Sequence, residues 1–164
     1  MEPGQKKHLE ERFKAREWYG RSQYGLRASI KGFALTGSEL PGWKIQRTER
    51  DESAKPRVTH SLWSRNEAAT EILSVDFWEC SSVRAADDQV LDVLANIQSA
   101  DIERRTGTNA PGDVAFGLND TMVLFARANL VVLLRNAGPK VVMVGAIATR
   151  VDAVLIQRLK TIRE

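Results

Sequence analysis

Thr121-Met122-Val123-Leu124-Phe125-Ala126-Arg127-Ala128-Asn129-Leu130-Val131-Val132-Leu133-Leu134-Arg135 is the stretch that decides the fold of this chain. Residues 121–127 and 130–135 are rich in the β-branched, aromatic and aliphatic side chains that suit strands. Ala128-Asn129 between them fits a two-residue hairpin turn, with Asn taking the left-handed backbone angles it tolerates. Residues 130–134 are apolar on both faces, the pattern of an interior strand covered on each side. The second face cannot stand bare to water, so a helix, the N-terminal segment, a second copy of the chain or a ligand must lie over it.

The same reading extends outward in both directions. Upstream, residues 114–116 follow the Pro111-Gly112-Asp113 turn, residues 107–112 form a loop, and residues 101–105 make a short strand. Before these lies a helix that Ser81 or Ser82 can cap, with Val83, Ala86, Val90, Leu94 and Ile97 on one face and Asp87, Asp88 and Asp92 away from it. Residues 70–79 alternate with period two: Leu73, Val75 and Phe77 point one way, Ser74, Asp76, Trp78 and Cys80 the other. Asn66-Glu67-Ala68-Ala69 joins this strand to residues 58–65 as a hairpin, and residues 43–50 form a further strand before a polar loop at 51–55. Downstream, Gly138-Pro139 breaks the chain. A last helix then runs from about residue 143 to 162, with Val144, Ile147, Val151, Val154, Leu155, Leu159 and Ile162 as its buried stripe. The order βββ-α-β(β)ββ-α predicts an α+β fold, an antiparallel sheet of about five to seven strands packed by two helices. Val75, Phe77, Leu94, Val132 and Ile147 are expected to be buried together.

At 164 residues, with 43% hydrophobic and 27% charged side chains, the chain has the size and composition of one globular domain. Its net charge of +3 is concentrated at the start, where residues 1–35 carry eight Lys and Arg against four Glu. Residues 1–37 therefore read as a basic arm, mobile or docked through Phe13, Trp18 and Tyr19, and residues 38–164 as the domain. Within the arm, residues 8–18 suit a short helix in which Leu9 and Phe13 share a face. No apolar run approaches the ~20 residues of a membrane-spanning helix. The first residues contain no apolar core of a signal peptide, so a cytoplasmic protein is expected, or an exported one if a leader has been removed.

The search for chemistry is nearly empty. The chain has no phosphate-binding loop of the G-x-x-x-x-G-K-[ST] kind and no G-x-G-x-x-G turn, so no nucleotide cofactor is expected. His8, His60 and Cys80 are too scattered for a metal site. Cys80 is the best nucleophile on offer. It precedes a helix whose unpaired amides can lower a thiol pKa, His60 lies on the neighbouring strand, and Asp76 shares the face of Cys80 and can orient an imidazole. Trp43, Trp63 and Trp78 lie in strands without flanking basic runs, so they suit a core or pocket better than base stacking, and nucleic acid is not an expected partner. Asp76, Trp78 and, from the hairpin partner, His60 or Trp63 would form an aromatic-walled cleft with a carboxylate and an imidazole on the second sheet face.

One family resemblance is carried by short pieces of sequence. They are Leu40-Pro41-Gly42-Trp43, Val75-Asp76-Phe77-Trp78 before the Ser-capped helix, Gly112-Asp113-Val114-Ala115-Phe116, and Phe125-Ala126-Arg127-Ala128-Asn129-Leu130-Val131-Val132 before a closing amphipathic helix. In these, residues 40–160 resemble the PsbP-like α/β sandwich domains of bacterial sensors and lipoproteins. The resemblance implies a non-enzymatic binding or sensing module, usually exported, with no shared catalytic residues. This chain departs from that pattern in having a single cysteine and in first residues from which no leader is expected. The function expected is thus a non-catalytic domain for a small molecule or a protein, a second copy of the chain included. A Cys80/His60 enzyme, or an adaptor using the basic arm on nucleic acid or a membrane surface, are the alternatives.

Overall fold

The structure is a computed structural model and describes residues 1–65 and 70–163. The turn expected at Asn66-Glu67-Ala68-Ala69 lies outside the described residues. In chain order the elements are α1 (Pro3–Arg12), a single 3₁₀ turn (Ala15–Glu17), β1 (Lys44–Asp51), β2 (Arg57–Ser64), β3 (Ile72–Glu79), α2 (Val83–Asn96), β4 (Glu103–Arg105), β5 (Val114–Leu118), β6 (Met122–Arg127), β7 (Leu130–Asn136) and α3 (Gly145–Arg163). The strands form one seven-stranded sheet in the order β1-β2-β3-β7-β6-β5-β4, antiparallel at every junction. This is the α+β class read from the sequence.

The twofold period of each central strand sorts its side chains into two separate cores. Leu73, Val75 and Phe77 of β3, Val123 and Phe125 of β6, and Leu130, Val132 and Leu134 of β7 face a first core. There they meet Val151, Leu155 and Leu159 of α3. Met122, Leu124, Phe116, Val131 and Leu133 face the other way, onto Val90, Leu91 and Leu94 of α2. The five residues expected to share one core are therefore divided: Leu94 belongs to the second core, and Ile147 is only half-buried beside the first. The sequence pattern identified the buried faces and the sheet, but not which side of the sheet each helix takes. At the end of α3, Ile162 is exposed.

Local chemistry sets the element ends. Ser82 caps α2, its Oγ accepting from the Ala85 amide at 3.0 Å. The arm helix is displaced toward the terminus from the expected 8–18. Pro3 lies in its first turn, where a missing N–H costs nothing, and Lys14, with φ of 52°, turns the chain out of the helix. At the β6–β7 turn the left-handed residue is Ala128 (φ 53°), not Asn129. Asn129 is used as a clamp instead. Its side chain accepts from the Ile30 amide at 2.6 Å and donates to the carbonyls of Ile30 and Cys80 at 2.9 and 3.0 Å.

That clamp belongs to a larger arrangement in which the arm lines both faces. Leu9, Phe13, Ala15 and Trp18 are buried in the second core, with Phe13 and Trp18 edge-on to Phe116. Ile30, Phe33 and Leu35 are buried in the first, Phe33 edge-on to Phe77. The arm also covers Asp87, which is 3% exposed rather than on a solvated face, and the Asp87 carboxylate accepts the Gly20 amide at 2.6 Å. Asp88 beside it accepts the Tyr19 hydroxyl at 2.5 Å and pairs with Lys6.

Burial, with added repulsion from Asp113 and Asp88, pushes the Asp87 carboxyl up from 3.8 to about 7 against the opposing pull of the Gly20 amide and Arg84. The folded state thus holds this proton more tightly than the unfolded chain does. Its contribution to stability is complete below about pH 4 and is lost as pH rises through 7, by about 4 kcal/mol at most. Asp87→Asn keeps an acceptor for Gly20 without the charge. The variant should melt higher than the parent at pH 8, with the difference shrinking toward pH 5. Parallel melting curves for the two proteins across that range would exclude Asp87 as the titrating group.

Candidate binding surface

The two covering layers do not extend over the whole sheet. α2 lies over β3, β7 and β6, and β1 is exposed along its entire length. The second face of the β1–β2–β3 wing is left partly open to solvent as a result.

Register determines what that open area presents. His60 of β2 stands opposite Asp76 of β3, and Leu62 opposite Ser74. His60 Nδ1 is hydrogen-bonded to Asp76 Oδ1, and Asp76 Oδ2 accepts from Arg135 of β7 at 3.3 Å. The carboxylate is 7% exposed, while Arg135 and His60 keep about a half and a third of their side-chain surface. Two semi-exposed nitrogen side chains are thus held in place by one buried carboxylate, which spares them the rotamer entropy that free surface side chains lose on binding. Half-buried Val58, Leu62 and Trp78 surround them. Beside Asp76, the buried Ser74 Oγ has no hydrogen-bond partner among the described residues.

The sequence-derived site residues are only partly brought together. Asp76, His60 and Trp78 share the second face. Trp63 does not join them: it stands opposite Leu73, is 0% exposed in the first core, and donates its Nε1–H to Ser61 Oγ at 2.9 Å. Cys80 does not meet His60. It lies four residues beyond Asp76, roughly 13 Å at strand rise, while the imidazole is turned onto Asp76. Burial, reinforced by Asp87 and Glu79, pushes the Cys80 thiol up to about 12, the reverse of what a nucleophile needs. The helix end that was expected to lower the thiol pKa is outweighed by these effects. Clefts of about 540, 720 and 920 Å³ lie at β4–β5, at the start of α2 and beside α1, and none is lined by His60, Asp76, Trp63 or Trp78. Among the described residues, no three His, Cys, Asp or Glu side chains converge as a metal site, and no helix is long and apolar enough to cross a membrane.

Sequence reasoning missed a buried polar cluster around Arg127. Arg127, 3% exposed, makes a two-pronged pair with Asp152 of α3 at 2.8 Å on each side, and its Nη1 donates to Asp113 and Gln23 at 3.1 and 3.0 Å. Asp113, expected as a turn residue, also accepts the Ala128 amide at 2.8 Å, and Asp152 accepts the Gly112 amide at 2.9 Å. The available signal was an Arg inside an apolar strand together with an Asp inside a buried helical stripe, since each charge is tolerable there only beside the other.

No protein-family model matches this chain, and no curated protein or solved structure matches it either.

Proposed function

We propose that this chain is a non-catalytic protein-binding module whose contact surface is the open second face of the β1–β2–β3 wing. The observation that carries the proposal is the His60–Asp76–Arg135 cluster, fixed by a buried carboxylate and bordered by Trp78 and Leu62. Preordered Arg and aromatic side chains around an apolar centre are what protein interfaces use most. The open form of the area favours a protein over a small molecule, because small-molecule sites are concave and enclose their ligand. The raised thiol pKa of Cys80 and its separation from His60 count against the enzymatic alternative. The proposal agrees with the non-enzymatic binding module that the PsbP-like resemblance implies, and it keeps the cytoplasmic location expected from the sequence in place of the exported one usual for those domains.

The test is affinity capture with three forms: the parent, a His60→Ala/Arg135→Ala variant, and a control altered at exposed Lys160 on α3. A stoichiometric protein held by the parent and the control should fall at least about tenfold with the double variant, as expected when interface anchors are truncated. A partner set that the double variant leaves unchanged would overturn the assignment of this surface.

A further inference from the structure

The outer edge of β1 offers a different contact, and its charges name the occupant. β1 is the terminal strand of the sheet, eight residues long and exposed at each of them, whereas the opposite edge, β4, has three. A row of unpaired backbone amides and carbonyls of that length is a template for another strand. The register with β2, which shifts between Ile45 and Arg47, places Lys44, Arg47, Glu49 and Asp51 opposite Ser64, Leu62, His60 and Val58. Those four β1 residues therefore share the second face. Read along the strand they run cation, cation, anion, anion.

We infer that β1 pairs antiparallel with β1 of a second copy of this chain, about a twofold axis perpendicular to the sheet at Thr48. Antiparallel pairing places opposed residues on the same side of the sheet. With Thr48 opposite Thr48, Arg47 of each copy faces Glu49 of the other, and the shift at Gln46 brings Lys44 opposite Asp51. All four charges of the row meet their complements. Sliding the pair by two residues puts Arg47 opposite Arg47 or Glu49 opposite Glu49, so the same charges also select the register. Edges guarded against self-pairing carry inward or like charges that repel a second copy; this row attracts its own reverse. Within one chain Arg47 already pairs with Glu49 on the same face, and Lys44 has no ionic partner among the described residues. Dimerisation would extend the first pair into a four-charge cluster and give Lys44 an anion.

The solution mass, measured by sedimentation across a concentration series on the full chain, tests this. The parent should pass from one chain to two as concentration rises. Glu49→Lys sets Lys against Arg47 at two places across the axis and should weaken the dimer at least about tenfold. Arg47→Glu added to Glu49→Lys restores opposite charges and should restore the dimer. Both residue changes are at exposed positions, and matching melting temperatures would show that the fold is intact. A parent that stays monomeric at every concentration overturns the inference. A dimer indifferent to Glu49→Lys, or one not rescued by the double variant, overturns it equally. Because sedimentation is read on the purified chain alone, with no captured protein present, the outcome is separable from that of the capture experiment.

Discussion

Removing residues 1–37 should leave a fragment, 38–164, that does not unfold cooperatively. The arm contributes Leu9, Phe13 and Trp18 to the second core and Ile30, Phe33 and Leu35 to the first, all buried. At about 1.5–3 kcal/mol for each such side chain, their loss removes roughly 9 kcal/mol or more. A domain of this kind has only about 5–15 kcal/mol in total. The deletion also strips the cover from Phe77 and Phe116, the rings on which Phe33, Phe13 and Trp18 stand edge-on. Circular dichroism melting combined with dye binding to exposed apolar surface would report the result. A sharp two-state melt of the fragment would show that the cores close without the arm.

The second large effect belongs to Arg127→Met. Arg127 is buried between Asp152, Asp113 and Gln23 and lies over the Tyr24 ring at 5.7 Å. Met fills much of the same volume but supplies no charge, leaving two buried carboxylates to repel each other. Breaking a buried pair from one side costs about 3–5 kcal/mol. Arg127→Met combined with Asp152→Leu removes both members of the main pair and should recover part of the loss, since apolar replacement of a whole buried pair is often tolerated. Denaturant titration of the parent, the single variant and the double variant measures both steps. A single variant within about 1 kcal/mol of the parent would mean that the cluster is far more hydrated than its burial indicates.

What was legible in the sequence follows from the range of the interactions involved. The period-two alternation of β3 and the doubly apolar run of β7 are properties of neighbouring residues, and they gave the sheet, its antiparallel class and the need for a cover on each side. The Ser82 cap is also local. Assigning Leu94 and Val132 to different cores requires knowing which side of the sheet each helix takes, and single-chain periodicity is blind to that. The docking of the arm depends on pairs such as Ile30 with Asn129 and Gln23 with Arg127, which have no local signature. At the candidate site, Asp76, Trp78 and His60 were found through strand parity. Trp63 was misplaced because parity on β2 is fixed only by its register with β3, where it stands opposite Leu73. Arg135, at the end of an apolar strand, carries no local sign that Asp76 is its partner.

The arm that lines both faces of the sheet also sets the order in which the protein can be completed during synthesis. Ile30 is held by Asn129, Gln23 by Arg127 and Arg12 by Ser99, partners 99, 104 and 87 positions later in the chain. A segment made early is therefore among the last to find its place. At roughly 5–20 residues per second, about 5–20 s separate the appearance of Ile30 from that of its clamp. Through most of that interval Phe13 and Trp18 lack Phe116, the ring they stand against. The interval is the time during which a nascent-chain chaperone would have an aromatic, basic segment available to hold, and it ends as the chain reaches β7.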